Sequence, residues 1–392
     1  LLPNFCKMHD VYVSGENVIT SLGFTIEENI ENIRNDVTGV RLRGDKKLFP
    51  EDFFASIIDS QQLDREFHSP EHKPDFTRFE KIMICSAEKA LAENTHIDAS
   101  SEKTIFVISS TKGNIDLLEE DKKILFEPDR VYLWKSAEII AEYFGNKNKP
   151  VVISNACVSG VLAISTASEM LRSGWYNHAV VIGGDIVTEF VVSGFQSFKS
   201  LSFGPCKPFD LNRDGLNLGE GAGTILMTTR KEALPKGAII KVLGGACNND
   251  ANHISGPSRT GEGLMLAVTR AMKNSGLTAE QIDFISAHGT ATPYNDEMES
   301  KAFSAAGLCH VPLNSLKGYF GHTLGAAGII ESAIAIQGMK QNILFKTMGY
   351  SELGVTEKIS VVDRLTEKTQ KYIVKTASGF GGCNAAVILE KL

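Results

Sequence analysis

One cysteine and two histidines stand in this sequence where a chain can do covalent and acid-base chemistry. Cys157 lies in Asn155-Ala156-Cys157-Val158-Ser159-Gly160, after the apolar run VVIS at 151–154 and before a helical pattern over 161–172. That order puts it at a strand-to-helix turn, where the first helical N–H groups lack partners. A helix N-terminus favours a thiolate and draws a cysteine pKa from about 8.5 into the range of roughly 3.5 to 7.5. Cys157 is therefore read as a nucleophile near neutral pH. A small buried thiol is the competing reading and the commoner one for an arbitrary cysteine; Gly160 and the turn position favour function. His288 follows the run IDFIS at 282–286, in Ala287-His288-Gly289-Thr290, and His322 opens the small-residue turn HTLGAAG before a helical pattern over 329–340. Either histidine alone is as readily structural as functional. Together with Cys157 they make a thiol and two imidazoles that converge from the ends of parallel strands, where α/β folds place their sites.

The elements that must position these groups are short β-branched runs alternating with helical patterns: TIFVIS at 104–109, VVIS at 151–154, AVVI at 179–182, IIKVL at 239–243 and IDFIS at 282–286. Such alternation predicts an α/β fold with a largely parallel, buried sheet. The same order of runs occurs twice, which predicts two similar halves, 8–233 and 238–392. The LPKG segment at 234–237 marks the boundary, because Pro and Gly together punctuate structure. Segments 46–74 and 116–132 are strongly charged and are expected to be surface caps.

The chain has 392 residues, 43% hydrophobic and 22% charged, so core burial is not limiting. Lys plus Arg total 40 against 47 Asp plus Glu, a net −7 that argues against a protein built to neutralise nucleic-acid phosphates. Its seven cysteines include no C-x-x-C pair, which argues against zinc sites and disulfide scaffolds and fits a reducing compartment. No run approaches the roughly 18 to 20 apolar residues of a membrane helix. A cytoplasmic protein without membrane or nucleic-acid partners is expected, and residues 1–7 read as lying upstream of the fold or as a frayed terminus.

Further blocks carry a resemblance: AHGTATPYND at 287–296, K-x-x-x-x-GH-x-x-GAAG at 317–328, GFGG-x-N at 379–384 and KPFDLNRDGLNLGEGAG at 207–223, in order with Cys157. With these the sequence resembles the elongating β-ketoacyl-[acyl-carrier-protein] synthases of the thiolase superfamily, from about Val11 to the C-terminus. The resemblance implies a five-layer α-β-α-β-α thiolase fold from two pseudo-repeated βα halves, a homodimer or heterodimer, and a decarboxylative Claisen condensation of acyl and malonyl thioesters delivered by an acidic acyl carrier protein. No resident cofactor or metal is implied, since phosphopantetheine arrives on the carrier.

By the same carry-over, Cys157 accepts the acyl chain, and His288 and His322 donate to the malonyl thioester oxygen as neutral imidazoles. Lys317 sets the electrostatics of the site, pairing with a carboxylate such as Glu331. Asp296 and Glu299 support it, and Thr290 and Thr292 bind the pantetheine arm. The backbone N–H groups of Cys157 and Phe380 form an oxyanion hole, and Phe380 also gates the acyl pocket, with a core aromatic as the plainer reading. Asp210, Arg213, Asp214 and Glu220 are expected to form buried ion pairs and turns. Arg78 and Lys81, with Arg41, Arg43, Lys46 and Lys47 as a second cluster, are candidates for a basic docking rim.

Three positions depart from the family pattern: Ser378 replaces a common Phe and reshapes the pocket, the 201–207 loop is short at the docking surface, and Gly318 replaces a hydroxyl residue and its hydrogen bond. Two rival readings remain. A degradative thiolase would share the fold, but two histidine motifs and a Cys383 followed by Asn384 argue against it. A non-catalytic chain-length-factor-like subunit usually lacks the nucleophile, and Cys157 is present.

Overall fold

The structure is a computed structural model that describes residues 8–68, 75–123, 125–253 and 256–392. Eleven strands form its main sheet: β1 (Val11–Ile19), β2 (Thr104–Ser109), β3 (Val151–Ile153), β4 (His178–Asp185), β5 (Gly221–Thr228), β6 (Ile240–Asn249), β7 (Phe284–Ser286), β8 (Pro312–Asn314), β9 (Ser360–Val361), β10 (Tyr372–Gly379) and β11 (Cys383–Lys391). Their order is β9-β8-β7-β10-β11-β6-β1-β5-β4-β2-β3.

Split between β6 and β1, this order is one five-stranded pattern used twice, with β9 added parallel to β8 at one edge. β1-β5-β4-β2-β3 runs antiparallel, antiparallel, parallel, parallel. β6-β11-β10-β7-β8 repeats that sequence of directions. An antiparallel β1–β6 pair joins the two. β2, β4 and β5 are buried along nearly their whole length, and β2 and β4 are rich in Val and Ile, as suits strands covered on both faces.

Helices fill the layers. The equivalent helices α3 (Ser159–Arg172) and α7 (Ala327–Gln341) lie between the halves, and their side chains share one core with inward residues of β1, β5, β6, β10 and β11. α7 is apolar nearly all round, as a helix enclosed on every side must be. α1 (Arg78–Ala92) and α2 (Leu133–Tyr143) cover one outer face, α5 (Glu262–Asn274) and α6 (Pro293–Ala305) cover the other, and α4 (Glu189–Ser197) packs Val191 and Val192 with Phe53 and Leu218. The architecture is the five-layer α-β-α-β-α arrangement of the thiolase fold. Among the described residues, no helix is long and apolar enough to cross a membrane.

The central helices meet end to end. A Cβ on Gly160 would lie 2.8 Å from Ile329 N and 2.9 Å from the Cα of Gly328, and one on Gly328 would lie 2.5 Å from Val161 N. Only glycine at both positions lets the first turns of α3 and α7 touch. This contact brings the Cys157 turn of the first half against the His322 turn of the second.

Both expected surface caps are anchored more deeply than their charge suggests. Segment 46–74 contains the strand Phe53–Ser56, which pairs with Arg41–Arg43 and with Leu218–Gly219. Its Phe53 and Ala55 pack with Val187, Val191, Leu218 and Leu324; residues 69–74 of this segment, like residues 1–7, lie outside the described residues. In 116–132, Leu117 is buried and Arg130 forms a buried ion pair with Glu80. Alternate side chains of these segments point inward, which net charge does not reveal.

Candidate active site

Cys157 is 7% exposed at the turn between β3 and α3. The turn is tight: Ala156 holds a left-handed φ of 45°, Ser159 Oγ donates to Ala156 O (2.6 Å), and Asn155 N donates to Ser159 Oγ (2.8 Å). Left-handed backbone is costly for a residue with a Cβ, and such strain gathers where a side chain must be presented. No side chain caps α3, so its first N–H groups face the Cys157 turn. A Cβ on Gly379 would fall 3.0 Å from Cys157 N, which places the 379–382 turn directly over the cysteine amide.

His322 is supplied by the second half. Its N donates to Asn217 O (2.7 Å) and its carbonyl accepts from Gly219 N (3.0 Å). The preceding Gly321 has φ 70°, and a Cβ there would strike Leu218 O at 2.5 Å. Thus clamped, His322 Nε2 lies 3.0 Å from Cys157 Sγ. His288, just beyond β7, is held by its backbone: its N and that of Gly289 donate to the two oxygens of Glu299 (2.9 and 2.6 Å), and its carbonyl accepts from Lys317 Nζ (2.5 Å). The two imidazoles meet edge to face with centroids 5.1 Å apart.

Burial, with Lys317 as the next cause, holds both imidazoles well below their ordinary pKa, so they are neutral at physiological pH. Burial also pushes the Cys157 thiol up to about 12, against a smaller downward pull from Lys317. This corrects the expectation of a standing thiolate. Helix N-terminal attraction is a local effect, whereas the desolvation of Cys157 is imposed by both halves closing over it. The resting pair is a thiol beside a neutral imidazole. Iodoacetamide labelling of Cys157 should therefore rise roughly tenfold per pH unit from pH 6 to 9; a plateau reached by pH 7 would show a standing thiolate.

Behind His288, Lys317 Nζ donates to Glu331 Oε1 (2.6 Å), and Lys375 Nζ donates to Glu331 Oε2 (2.5 Å), with all three side chains buried. The Lys317–Glu331 pair matches the reading of the sequence. Lys375 was missed, although it is the lone charge in the apolar run YIVKTA at 372–377, and a buried charge needs a partner.

Asp296 accepts from Phe209 N (2.7 Å) and Ala291 N (3.2 Å). Burial raises Asp296 to about 6 and Glu299 to about 7. Both carboxyls hold backbone in place and neither lines the cavity, in keeping with support.

The cavity beside these groups has an empty volume of about 550 Å³ and is lined by Cys157, His288, His322, Thr290, Thr292 and Phe380 among others. The Thr290 and Thr292 hydroxyls are hydrogen-bonded to each other (2.9 Å). The Phe380 ring stacks on Phe195 (5.5 Å) and meets Phe198 edge-on (5.0 Å). Phe195 in turn stands edge-on to His322 (6.5 Å), an aromatic bridge that no motif announced. Ser378 also lines the cavity, with Oγ donating to Asn384 Oδ1 (2.7 Å). Cys157 Sγ and one ring nitrogen of each histidine lie within 4.8 Å of one another, a donor set for a soft cation, but the buried lysines nearby oppose a second positive charge.

Other expectations need correction. Arg78 is pinned by Glu220, Ile58 O (2.6 Å) and Ser60 Oγ (2.9 Å), and Lys81 by Asp64 (2.9 Å), so neither forms a basic rim. Lys46 pairs with Asp52 (2.5 Å). In the 207–223 block, Glu220 alone makes an ion pair among the described residues: Asp210 accepts from the N–H groups of Asn212, Ser351 and Glu352, Arg213 donates to carbonyls, and Asp214 accepts from Ser202. Gly318 has a steric reason, since a Cβ would lie 2.5 Å from Met348 O.

Comparison with known proteins agrees with this geometry. Residues 8–233 match the beta-ketoacyl synthase N-terminal domain family and residues 239–351 the C-terminal domain family. The chain is 28% identical to the 3-oxoacyl-[acyl-carrier-protein] synthase 2 of Vibrio cholerae over 97% of this chain and 99% of that one. It is 30% identical to a mitochondrial 3-oxoacyl-[acyl-carrier-protein] synthase of Arabidopsis thaliana over 79% and 74%. Among solved structures it superposes on the ishigamide ketosynthase/chain length factor with a TM-score of 0.85 at 25% identity, covering 98% of this chain and 100% of that one. A beta-ketoacyl synthase from Burkholderia phymatum gives a TM-score of 0.86 at 24% identity with the same coverage.

Proposed function

As this chain belongs to the beta-ketoacyl synthase family and is an acyl-transferring condensing enzyme of the 3-oxoacyl-[acyl-carrier-protein] synthase type, we propose that Cys157, His288 and His322 are its catalytic residues. The observation that carries the assignment is the 3.0 Å approach of Cys157 Sγ to His322 Nε2, with a second neutral imidazole at the same cavity.

In the first stage Cys157 attacks the acyl thioester carbonyl. Because the thiol is protonated at rest, its proton passes to His322 Nε2 as the sulfur–carbon bond forms, and from there to the departing thiolate. The resulting oxyanion is met by the N–H groups of Cys157 and Phe380, a reading supported by the close approach of Gly379 to Cys157 N. Acyl-Cys157 and a free carrier thiol remain, so no net proton is consumed. In the second stage the malonyl thioester loses CO2, and the electron pair of that bond becomes an enolate. Once acylation has removed the thiol that donated to it, His322 shifts to its Nε2–H tautomer, and the Nε2–H groups of His288 and His322 donate to the enolate oxygen; being neutral, they stabilise it without protonating carbon. The enolate carbon attacks the acyl-Cys157 carbonyl, forming the carbon–carbon bond and expelling the Cys157 thiolate, which takes one proton from solvent to restore the resting thiol.

Thr290 and Thr292 orient the pantetheine arm of an acidic carrier protein, and Phe380 gates the acyl pocket. Lys199 and Arg259, both exposed beside the cavity-lining Ser200 and Pro257, serve the docking rim in place of Arg78 and Lys81. No resident cofactor takes part. The two domains divide at 234–237, with the nucleophile in the first and both histidines in the second. We read the chain as a cytoplasmic homodimer, the half-buried edge strand β3 favouring self-association.

The test supplies an acyl-carrier protein and a malonyl-carrier protein to the purified chain. CO2, a β-ketoacyl product and an acyl adduct on Cys157 are expected. Consumption of an acetyl thioester without CO2 would indicate a thiolase, and the absence of both adduct and CO2 a non-catalytic subunit.

A further inference from the structure

The active site contains one more charge than the lysine–glutamate pair requires. Lys375 sits in β10, its side chain fully buried, and it spends its hydrogens on Glu331 Oε2 (2.5 Å) and on the carbonyls of Ser286 (3.2 Å) and Ala287 (3.1 Å). Those carbonyls end β7 and lead directly into His288. From the other side Lys317 takes Glu331 Oε1 (2.6 Å) and the carbonyl of His288 itself (2.5 Å). One carboxylate thus joins two ammonium groups that grip three successive carbonyls, 286 to 288. With all three groups ionised the bridge carries a net charge of +1 on buried side chains.

We propose that Lys375 is a positioning residue for the condensation, anchoring the strand end that carries His288 and placing a surplus positive charge behind both imidazoles. This rests on the roles of His288 and His322 proposed above. The surplus charge has two consequences. It disfavours imidazolium, so both rings remain hydrogen-bond donors that do not protonate the enolate carbon, and it favours the negative charge that develops on the thioester oxygen. Buried lysine bridges are not free of cost: desolvation pulls Lys375 down, and Glu331 is what opposes this. A second lysine where one already pairs the carboxylate is therefore not explained by stability.

The charged and titratable groups around His288 are Lys317 from the short helix Lys317–Phe320, Lys375 from β10, Glu331 from α7, Glu299 and Asp296 from α6, His322, and Cys157 at the start of α3. Glu299 and Asp296 act on the backbone side of His288, and burial raises them to about 7 and about 6, so they shed negative charge in the acid range. Lys375 also faces the Glu299 charge, so the comparison of wild type with the Lys375 variants reads its effect on His288 together with its effect on Glu299.

The experiment measures CO2 release from malonyl-pantetheine against pH for wild type, Lys375→Gln and Lys375→Met, with Cys157 acylation stoichiometry as the check on an intact site. Glutamine keeps a donor for the Ser286 and Ala287 carbonyls, and either variant leaves Glu331 neutralised by Lys317. Wild type should lose activity only below the ordinary imidazole value of about 6.5. In both variants that acid limb should move upward by roughly half a pH unit or more, because removing a cation makes imidazole easier to protonate, while Cys157 is still acylated. A lower plateau with an unmoved limb would make Lys375 merely structural and overturn the proposal. So would a wild-type limb at about 6.5 or above, a result that needs no variant to fold. If wild type forms acyl-Cys157 but releases no CO2 at any pH, it is the assignment of His288 and His322 that fails.

Discussion

Cys157→Ala should abolish the acyl-enzyme and lower condensation by at least roughly 10³-fold, the scale on which removing a nucleophile acts. Among the described residues Cys157 is the one cysteine that lines the cavity; Cys383, beside its turn, donates to Asn155 Oδ1 (3.0 Å). Among the described cysteines, Cys85 and Cys206 are buried and pushed up to about 12 by that burial, and neither lines the cavity. The variant should nevertheless release CO2 from a malonyl thioester, because both imidazoles remain and the enolate needs only them. Intact-mass measurement after exposure to acyl-carrier protein, alongside CO2 detection, checks both halves of the expectation. An acyl adduct surviving in Cys157→Ala would move the nucleophile elsewhere.

His288→Ala and His322→Ala should each reduce condensation by about 10² to 10³-fold, the usual cost of one oxyanion donor, yet they should differ in acylation. His322 Nε2 lies 3.0 Å from Cys157 Sγ, and a thiol held up near 12 needs a proton acceptor to attack at neutral pH. His322→Ala should therefore slow adduct formation as well. His288→Ala should leave the acyl-enzyme forming at nearly the wild-type rate while product and CO2 disappear. Single-turnover acylation followed by malonyl addition separates the two steps. Normal condensation in either variant would contradict the assignment, and equal acylation in both would remove His322 from the proton path.

Much of this was legible because it is local. TIFVIS, AVVI and IIKVL announce buried strands through β-branched runs, and their repeated order announces the doubled sheet. Cys157 and His288 each follow such a run, which places them at strand ends, and His322 stands in a glycine-rich turn before a helix. The Lys317–Glu331 pair was expected only because the resemblance implies it. Lys375 was not legible: a lysine on a central strand looks like a misplaced surface residue until Glu331, 44 positions away, is seen to meet it. Arg78 failed in the opposite direction. Its helical spacing suits an exposed rim, but Glu220, 142 positions away, draws the guanidinium inward.

The sequence by itself determined which residue types are offered and at which turns, since hydrogen-bonding geometry and side-chain periodicity act over a few residues. Tertiary structure alone decided their separation and their charge. Gly160 and Gly328 let two helix ends touch, and that contact sets a sulfur from the first half against an imidazole from the second. Enclosure by both halves then keeps the thiol protonated and the rings neutral, because the free energy of a charge depends on how much water surrounds it and on which distant charges face it. Neither quantity is a property of any stretch of chain.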